Sequence, residues 1–230
     1  MFSGFCGVCW GIALILVIGF FFAYASFHVS SGVYLRAFCR KKTKEKQIAL
    51  TFDDGPHHEY TSQVLDVLNK YNVKATFFLI GERISGNENI LNRMQAGGHQ
   101  IGNHSFSHTS MFPFLGVMKM ADNLLQCEQA VSRITGHRMK WFRPPFGVTN
   151  PNVAKAVKIR GYQVAGWSIR SLDTVISNRE KVVNRIVARL HPGAIILLHD
   201  HLPDAPYILE QTILKATEKG YSFVTIEQLF

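Results

Sequence analysis

Asp53 and Asp54 form an adjacent carboxylate pair directly after the apolar run 48–52, and Gly55-Pro56-His57-His58 turns the chain just beyond them. In extended backbone, neighbouring side chains point to opposite faces, so the two acids take different tasks unless the turn redirects one of them. The same residues also suit a plain turn or a helix cap, since Asp and Gly favour both. A second polar group, Asn103-His104-Ser105-Phe106-Ser107-His108, follows another apolar run. Its two histidines are four apart and could share one face of a helical turn. A neutral imidazole pair with one carboxylate is a facial set for a divalent cation, leaving positions for water and substrate. Alone, His104 and His108 would be ordinary surface or capping histidines. With Asp54 at an equivalent height on a neighbouring unit, the metal reading is favoured.

Two further groups lie at the ends of apolar runs. Arg143-Pro144-Pro145-Phe146-Gly147 cannot be helical, because two prolines block it, so its backbone is stiff. A fixed Arg143 there could orient a carboxylate by a two-pronged charged hydrogen bond, while N–H groups beyond the prolines could donate to a developing oxyanion. The plain alternative is a rigid loop with Arg143 in a surface ion pair. Further on, the run 194–198 ends in His199-Asp200-His201. Burial lowers a histidine pKa and a neighbouring acid raises it; Asp173 could be that acid, leaving His199 able to protonate a leaving amine. A partly buried His199 bonded to backbone is the plain alternative.

The elements that must position these groups are legible as an alternation. Short runs rich in Ile, Val, Phe and Trp at 48–52, 75–79, 100–103, 141–143, 163–168, 194–199 and 222–225 read as strands. Between them, 61–71, 116–135, 153–160, 180–190 and 206–219 carry helical spacing, several ending at a glycine. This is the pattern of parallel strands joined by crossover helices: an α/β domain over 47–230, either an open doubly wound sheet or an incomplete barrel. In both, ligands bind at the carboxyl ends of the strands, where the polar groups above cluster.

Composition narrows the partners. Hydrophobic residues make up 47% and charged residues 18%, which excludes a disordered chain. Four cysteines are too few for a disulfide-dense scaffold. The net charge is +9, but residues 36–46 hold six bases and one acid, so little excess lies elsewhere. No nucleic-acid partner is expected, because no platform of aromatic and basic residues occurs beyond that segment. No obligate protein partner is evident either.

Residues 4–27 are uncharged, about 36 Å of helix at roughly 1.5 Å per residue, long enough to span a bilayer. Residues 1–28 are therefore expected to be a transmembrane anchor, retained rather than cleaved as a signal because no basic residue precedes the run. Cys6 and Cys9 fall inside it and read as small apolar residues. Residues 29–46 are expected to form a basic juxtamembrane linker that meets anionic membrane lipid. This makes a single-pass membrane protein. The basic flank favours a cytoplasmic domain by the positive-inside tendency.

TFDDG at 51–55, HSFSH at 104–108, RPPFG at 143–147, WSIRSLD at 167–173 and ILLHD at 196–200 together resemble, in order, the five motifs of the polysaccharide deacetylases. That family is also known as carbohydrate esterase family 4, or CE4, and as the NodB-homology domain. ATFFLIG at 75–81 and GHQIGNH at 98–104 are similar to the family's framework. The resemblance covers 47 to about 229. It implies a distorted, incomplete (β/α)7 barrel that hydrolyses N-acetyl, less often O-acetyl, groups on a sugar polymer such as peptidoglycan, a chitin-like chain or exopolysaccharide. It implies one divalent metal ion, zinc first, with cobalt, manganese or nickel as substitutes. By motif, Asp53 is the general base, Asp54, His104 and His108 hold the metal, and Arg143 orients Asp53. The main chain near Phe146 helps bind the oxyanion, His199 is the general acid tuned by Asp173, and Leu197 lines the acetyl pocket.

Three positions depart from the family pattern. Arg170 stands where the fourth motif often has Asp, Thr174 where it often has Trp, and Phe146 where the third often has Tyr. Arg170 adds a cation near the site, so an anionic substrate is expected. The family resemblance favours a domain facing outward, against the charge flank. Two alternatives remain: a deacylase of a lipid-linked sugar at the cytoplasmic leaflet, and a non-catalytic saccharide-binding barrel.

Overall fold

The computed structural model describes residues 3–230, with side chains at Trp10 and from residue 12 onward, so Cys6 and Cys9 lie outside the described side chains. Nine strands are described: β1 Ala37–Phe38, β2 Gln47–Gly55, β3 Thr76–Leu79, β4 Gln100–Asn103, β5 Trp141–Phe142, β6 Gln163–Ala165, β7 Ile169–Arg170, β8 Ile195–His199 and β9 Ser222–Phe223. The helices are α1 Ser3–Phe27, α2 Tyr60–Lys70, α3 Glu88–Ala96, α4 Val117–Thr135, α5 Pro151–Arg160, α6 Arg179–Val187, α7 Ala205–Glu218 and α8 Ile226–Leu229. The strands order as β1-β6-β5-β4-β3-β2-β8-β7, with β9 beside β2. Every strand pair is parallel.

This is a curled parallel half-barrel, and its connectivity explains the curl. The expected strand 163–168 ends at Ala165, and a separate strand begins only at Ile169: β6 pairs with β5, whereas β7 pairs with β8 at the far end of the strand order. Three residues, Gly166-Trp167-Ser168, carry the chain across the gap between those edges. Gly166 N–H donates to Phe38 O on one side and Ser168 N–H to Ile195 O on the other. A short covalent crossing of this kind holds two sheet edges close without a continuous ladder.

Two apolar layers follow from the two-residue period of the strands. Ile48, Leu50 and Phe52 of β2, with Ile196 and Leu198 of β8, join the larger core beneath the helices. Their alternates Ala49 and Ile195 join a smaller cluster with Phe78, Trp141 and Ala165 inside the barrel, closed below by Ile226 and Leu229 of α8. Thr51 and Asp53 share the inward register of Ala49, and Leu197 and His199 share that of Ile195. Strands buried on both faces read as continuous apolar runs, which is why the sequence revealed them. The signals for α3 and α8 were weaker, since one is short and polar and the other is a single turn closed by a Thr225–Gln228 capping box.

The N-terminal expectation is corrected. Among the described residues no helix is long and apolar enough to cross a membrane. The last turn of α1 is instead built into the barrel. Thr149 N–H donates to Ser26 O at 2.9 Å, Thr149 Oγ1 donates to Ala25 O at 3.2 Å, and Ala25 is fully buried. A carbonyl left open at a helix C-terminus needs a donor, and the barrel rim supplies two. A single-pass membrane location is therefore not supported, and the choice between two membrane faces falls with it.

Part of 29–46, expected as a linker, also joins the sheet. β1 pairs with β6, Arg40 bridges Ala194, and Lys41 N–H donates to Gly193 O at 2.9 Å. Gly193 has φ +72° and packs so tightly on the Lys41 carbonyl that a Cβ would fall on its oxygen. Left-handed backbone costs an L-residue about 1–2 kcal/mol, and the steric contact adds to that. Gly193→Ala is therefore expected to lower Tm by at least about 3 °C, since 1 kcal/mol shifts a domain of this size by roughly 2–4 °C. An unchanged thermal melt would show that this junction does not carry the predicted strain.

Candidate metal and catalytic site

Parallel strands bring all their carboxyl ends to one rim, and the polar side chains gather there. The first requirement is that Asp53 and Asp54 act together despite being adjacent. β2 achieves this with an irregularity: its register against β3 shifts between Asp53 and Gly55, and Asp54 has φ +70°. Arg83 Nη1 donates to Asp54 O and helps hold the turn. As a result both carboxylates reach the same imidazole. His104 Nε2 lies 3.7 Å from Asp53 Oδ2 and 3.4 Å from Asp54 Oδ1.

His104 and His108 do not share a helical turn, as their spacing suggested. They sit on a loop in which Ser105 has φ +71° and His108 φ +46°. The loop is fixed by side chains: Ser105 N–H donates to Asn103 Oδ1 at 2.8 Å, Phe106 N–H to Asn123 Oδ1 at 2.8 Å, and His108 N–H to Ser105 Oγ at 3.0 Å. The irregular backbone turns both rings inward, with centroids 4.7 Å apart. His104 Nδ1 lies 2.8 Å from Arg143 O. A carbonyl can only accept, so Nδ1 carries the proton and Nε2 presents its lone pair to the site.

One ligand atom each from Asp54, His104 and His108 lies within 4.8 Å of the others. Asp54 Oδ1 is buried without a hydrogen-bond partner, 3.3 Å from His108 Nε2. A buried oxygen without a donor, facing two imidazole nitrogens, is the environment that a bound cation satisfies. The residues thus fit a divalent metal. Burial would raise the Asp54 pKa, but the neighbouring imidazoles outweigh it and hold the carboxyl well below its ordinary value. Burial, reinforced by the His104 charge, lowers His108 to about 4, leaving it a neutral donor.

Arg143 is fully buried beneath Asp53. Its Nη1 donates to Asp53 Oδ1 at 2.7 Å and to Thr51 Oγ1 at 2.8 Å, its Nη2 to Gly166 O at 2.8 Å, and its Nε to Ala165 O at 3.3 Å. The guanidinium also stacks over Phe78, 4.3 Å from the ring centre. Such a cation, saturated with acceptors, holds one Asp53 oxygen and leaves the other toward His104. Thr51, two residues before Asp53 on the same strand face, passes its own proton to Ile196 O at 2.7 Å. The sequence reading missed Thr51, although its position two before Asp53 was the available signal.

On the other side, β8 pairs with β2 so that His199 lies opposite Asp53. Asp173 grips His199 twice, accepting from its N–H at 2.8 Å and from Nδ1 at 2.8 Å. Ser171 Oγ donates to the same carboxylate at 2.9 Å. Burial would depress the His199 pKa, but the Asp173 hydrogen bond and charge overcome it and raise the value to about 9. Asp200, next in sequence, points elsewhere. It is fully buried, accepts from Thr61 Oγ1 at 2.8 Å, and is pushed up to about 7 by burial.

The remaining sequence candidates divide. Phe146 has φ +59°, and its half-exposed ring sits 4.7 Å from that of His108. Leu197 is buried on β8. Arg170 pairs beside Leu197 on β7 but is exposed, and its carbonyl accepts from Arg185 Nε. Among the described residues, no hydrogen bond or ion pair ties the Arg170 guanidinium to the cluster.

Residues 40–165 match the family model described as polysaccharide deacetylase. The chain is 38% identical over 197 residues to the peptidoglycan-N-acetylmuramic acid deacetylase PdaA of Bacillus subtilis, covering 84% of this chain and 74% of that protein. It is 36% identical over 190 residues to the peptidoglycan-N-acetylglucosamine deacetylase PgdA of Listeria monocytogenes. That match covers 83% of this chain but spans only 40% of the Listeria protein's length. Among solved structures, a CE4 family pseudoenzyme from Bacillus anthracis superposes with a TM-score of 0.76 at 28% identity, over 83% of this chain and 67% of that one. On the family model and on these identities, the chain belongs to the polysaccharide deacetylase family.

Proposed function

We propose that the chain is a metal-dependent hydrolase that removes N-acetyl groups from amino sugars of a polysaccharide of the peptidoglycan type. The convergence of Asp54, His104 and His108 beside the Arg143-held Asp53 carries this reading. The names of the Bacillus subtilis and Listeria monocytogenes relatives support the substrate class. Asp54, His104 and His108 would hold one divalent ion, with zinc favoured by two imidazoles and a carboxylate. When bound, the ion supplies Lewis-acid polarisation of the acetyl carbonyl and lowers the pKa of a coordinated water.

The chain's own residues supply the proton handling. Asp53 Oδ2 accepts the proton of the attacking water, while Arg143 fixes Oδ1 and prevents the carboxylate from rotating toward the metal ligands. Gly147 and Val148 N–H close the turn onto Pro144 O and Pro145 O, so the backbone N–H of Phe146 is the group that would face the developing oxyanion, while Leu197 would meet the acetyl methyl. His199 donates its proton to the departing amine. Asp173 keeps it charged and, by holding Nδ1, reserves Nε2 for that transfer.

Likeness to a pseudoenzyme raises one alternative, a saccharide-binding barrel without turnover. Full-length chain loaded with zinc, cobalt or manganese and offered a panel of acetylated glycans separates the two. Acetate release supports the hydrolase, and glycan binding without acetate supports the binding module.

Three outcomes are expected. Asp54→Ala and His108→Ala each weaken metal retention at least about 100-fold in chelator competition; wild-type retention by both variants would overturn the ligand set. Asp53→Asn keeps the metal and lowers kcat by at least about 100-fold, the scale of a lost general base. The third concerns pH. The raised His199 pKa means that the imidazolium is present through neutrality and lost as pH rises through about 9. The kcat of wild type should therefore fall above about pH 9, and His199→Ala should abolish that alkaline limb; a limb that persists in the variant would assign it to another group.

A further inference from the structure

Beneath the metal-ligand loop lies a buried polar chain that the proposed chemistry does not use. Asn103, the last residue of β4, is fully buried. Its Oδ1 accepts from Ser105 N–H, and its Nδ2 donates to Leu124 O at 2.8 Å and to Tyr162 Oη at 3.1 Å. Tyr162 Oη in turn donates to Glu128 Oε2. Glu128, on α4, is closed off by Arg138 Nε at 3.1 Å and Arg160 Nη2 at 3.7 Å. Burial and the Glu128 carboxylate raise the Tyr162 pKa, so its hydroxyl remains a donor.

The direction of these bonds matters. Backbone N–H of Ser105 can only donate, which fixes Asn103 with Oδ1 toward the loop and Nδ2 away from it. Tyr162 accepts one of the Nδ2 protons, so it opposes rotation of that amide. Asn103 Oδ1 then holds Ser105 in left-handed backbone, and Ser105 Oγ receives His108 N–H at 3.0 Å. The same α4 contributes Asn123, whose Oδ1 receives Phe106 N–H. Both histidines are thus placed by a loop whose strained turn is held from below.

We infer that Tyr162 and Glu128 are positioning residues that set the affinity of the Asp54–His104–His108 site for its metal ion, acting through Asn103. The inference rests on the metal site proposed above and adds residues 58 and 24 positions downstream of His104 in sequence to its control. Groups that orient first ligands commonly change metal affinity 10–100-fold when removed.

The test uses full-length chain stripped of metal and titrated with zinc or cobalt alone against a competing chelator, with Tm of the metal-free protein recorded in parallel. Tyr162→Phe removes only the hydroxyl and retains the ring packed near Phe142. It is expected to weaken the metal Kd at least 10-fold, while kcat at saturating metal stays within about threefold of wild type. Asn103→Asp keeps the acceptor for Ser105 N–H and loses the donors, so it should weaken binding less than Asn103→Ala. Should Tyr162→Phe unfold the chain, Asn103→Asp compared with wild type decides the question, because it breaks the Nδ2 link to Tyr162 and keeps the acceptor for Ser105 N–H; a wild-type metal Kd in that variant overturns the inference. A metal Kd unchanged by Tyr162→Phe, with only Tm lowered, overturns the inference and leaves the metal site standing. Failure of wild type to bind either metal would instead remove the site itself.

Discussion

The site depends on defeating the two-residue period of a strand. Adjacent residues of β2 must point to opposite faces, yet Asp53 and Asp54 both serve the barrel mouth. The register shift against β3 and the left-handed backbone at Asp54 make this geometry attainable, and the carbonyl of Asp54 is tied to Arg83. Without that turn one carboxylate would sit under the helices, where an unpaired charge is prohibitively costly. The strain is localised at the candidate site, as expected when surrounding structure over-determines an unfavourable backbone.

A second constraint is electrostatic. Arg143 is a fully buried cation, and burying such a charge costs several kcal/mol unless its donors are satisfied. Thr51, Asp53, Ala165 and Gly166 supply acceptors, and Phe78 and Trp167 supply π-faces. Ala165 and Gly166 begin the segment that crosses from β6 to β7, so the guanidinium also fastens the half-barrel at its seam. One side chain therefore links the closure of the fold to the orientation of Asp53. On the opposite wall Asp173 does the same for His199, gripping both its backbone and its ring.

Much of this was legible in the sequence. Strands buried on both faces announce themselves as apolar runs, and the polar residues that end them must emerge at a common rim if the strands are parallel. Asp53, Asp54, His104, His108, Arg143 and His199 could be gathered on that basis, and Asp173 followed as the acid near His199. The short β1, the early end of the 163–168 strand at Ala165 and the separate β7 were not legible, because pairing to distant edges leaves no local signal. Thr51 and Tyr162 were missed for a similar reason, since a threonine in a strand and a tyrosine before one read as packing. The long apolar stretch at the N-terminus misled: hydropathy reports composition, whereas the contacts of Ala25 and Ser26 with Thr149 tie the end of that helix to the barrel.

Composition and periodicity determined the class of fold, the order of most of its elements and which polar side chains gather at the strand ends, because burial of apolar strands is a local property of the chain. Tertiary structure alone decided that the two histidines stand on an irregular loop rather than a helical turn and that Asp54 turns inward. Each depends in part on a partner from another element, Asn123 of α4 for the histidine loop and Arg83 for the Asp54 turn, and a short window of sequence does not contain both.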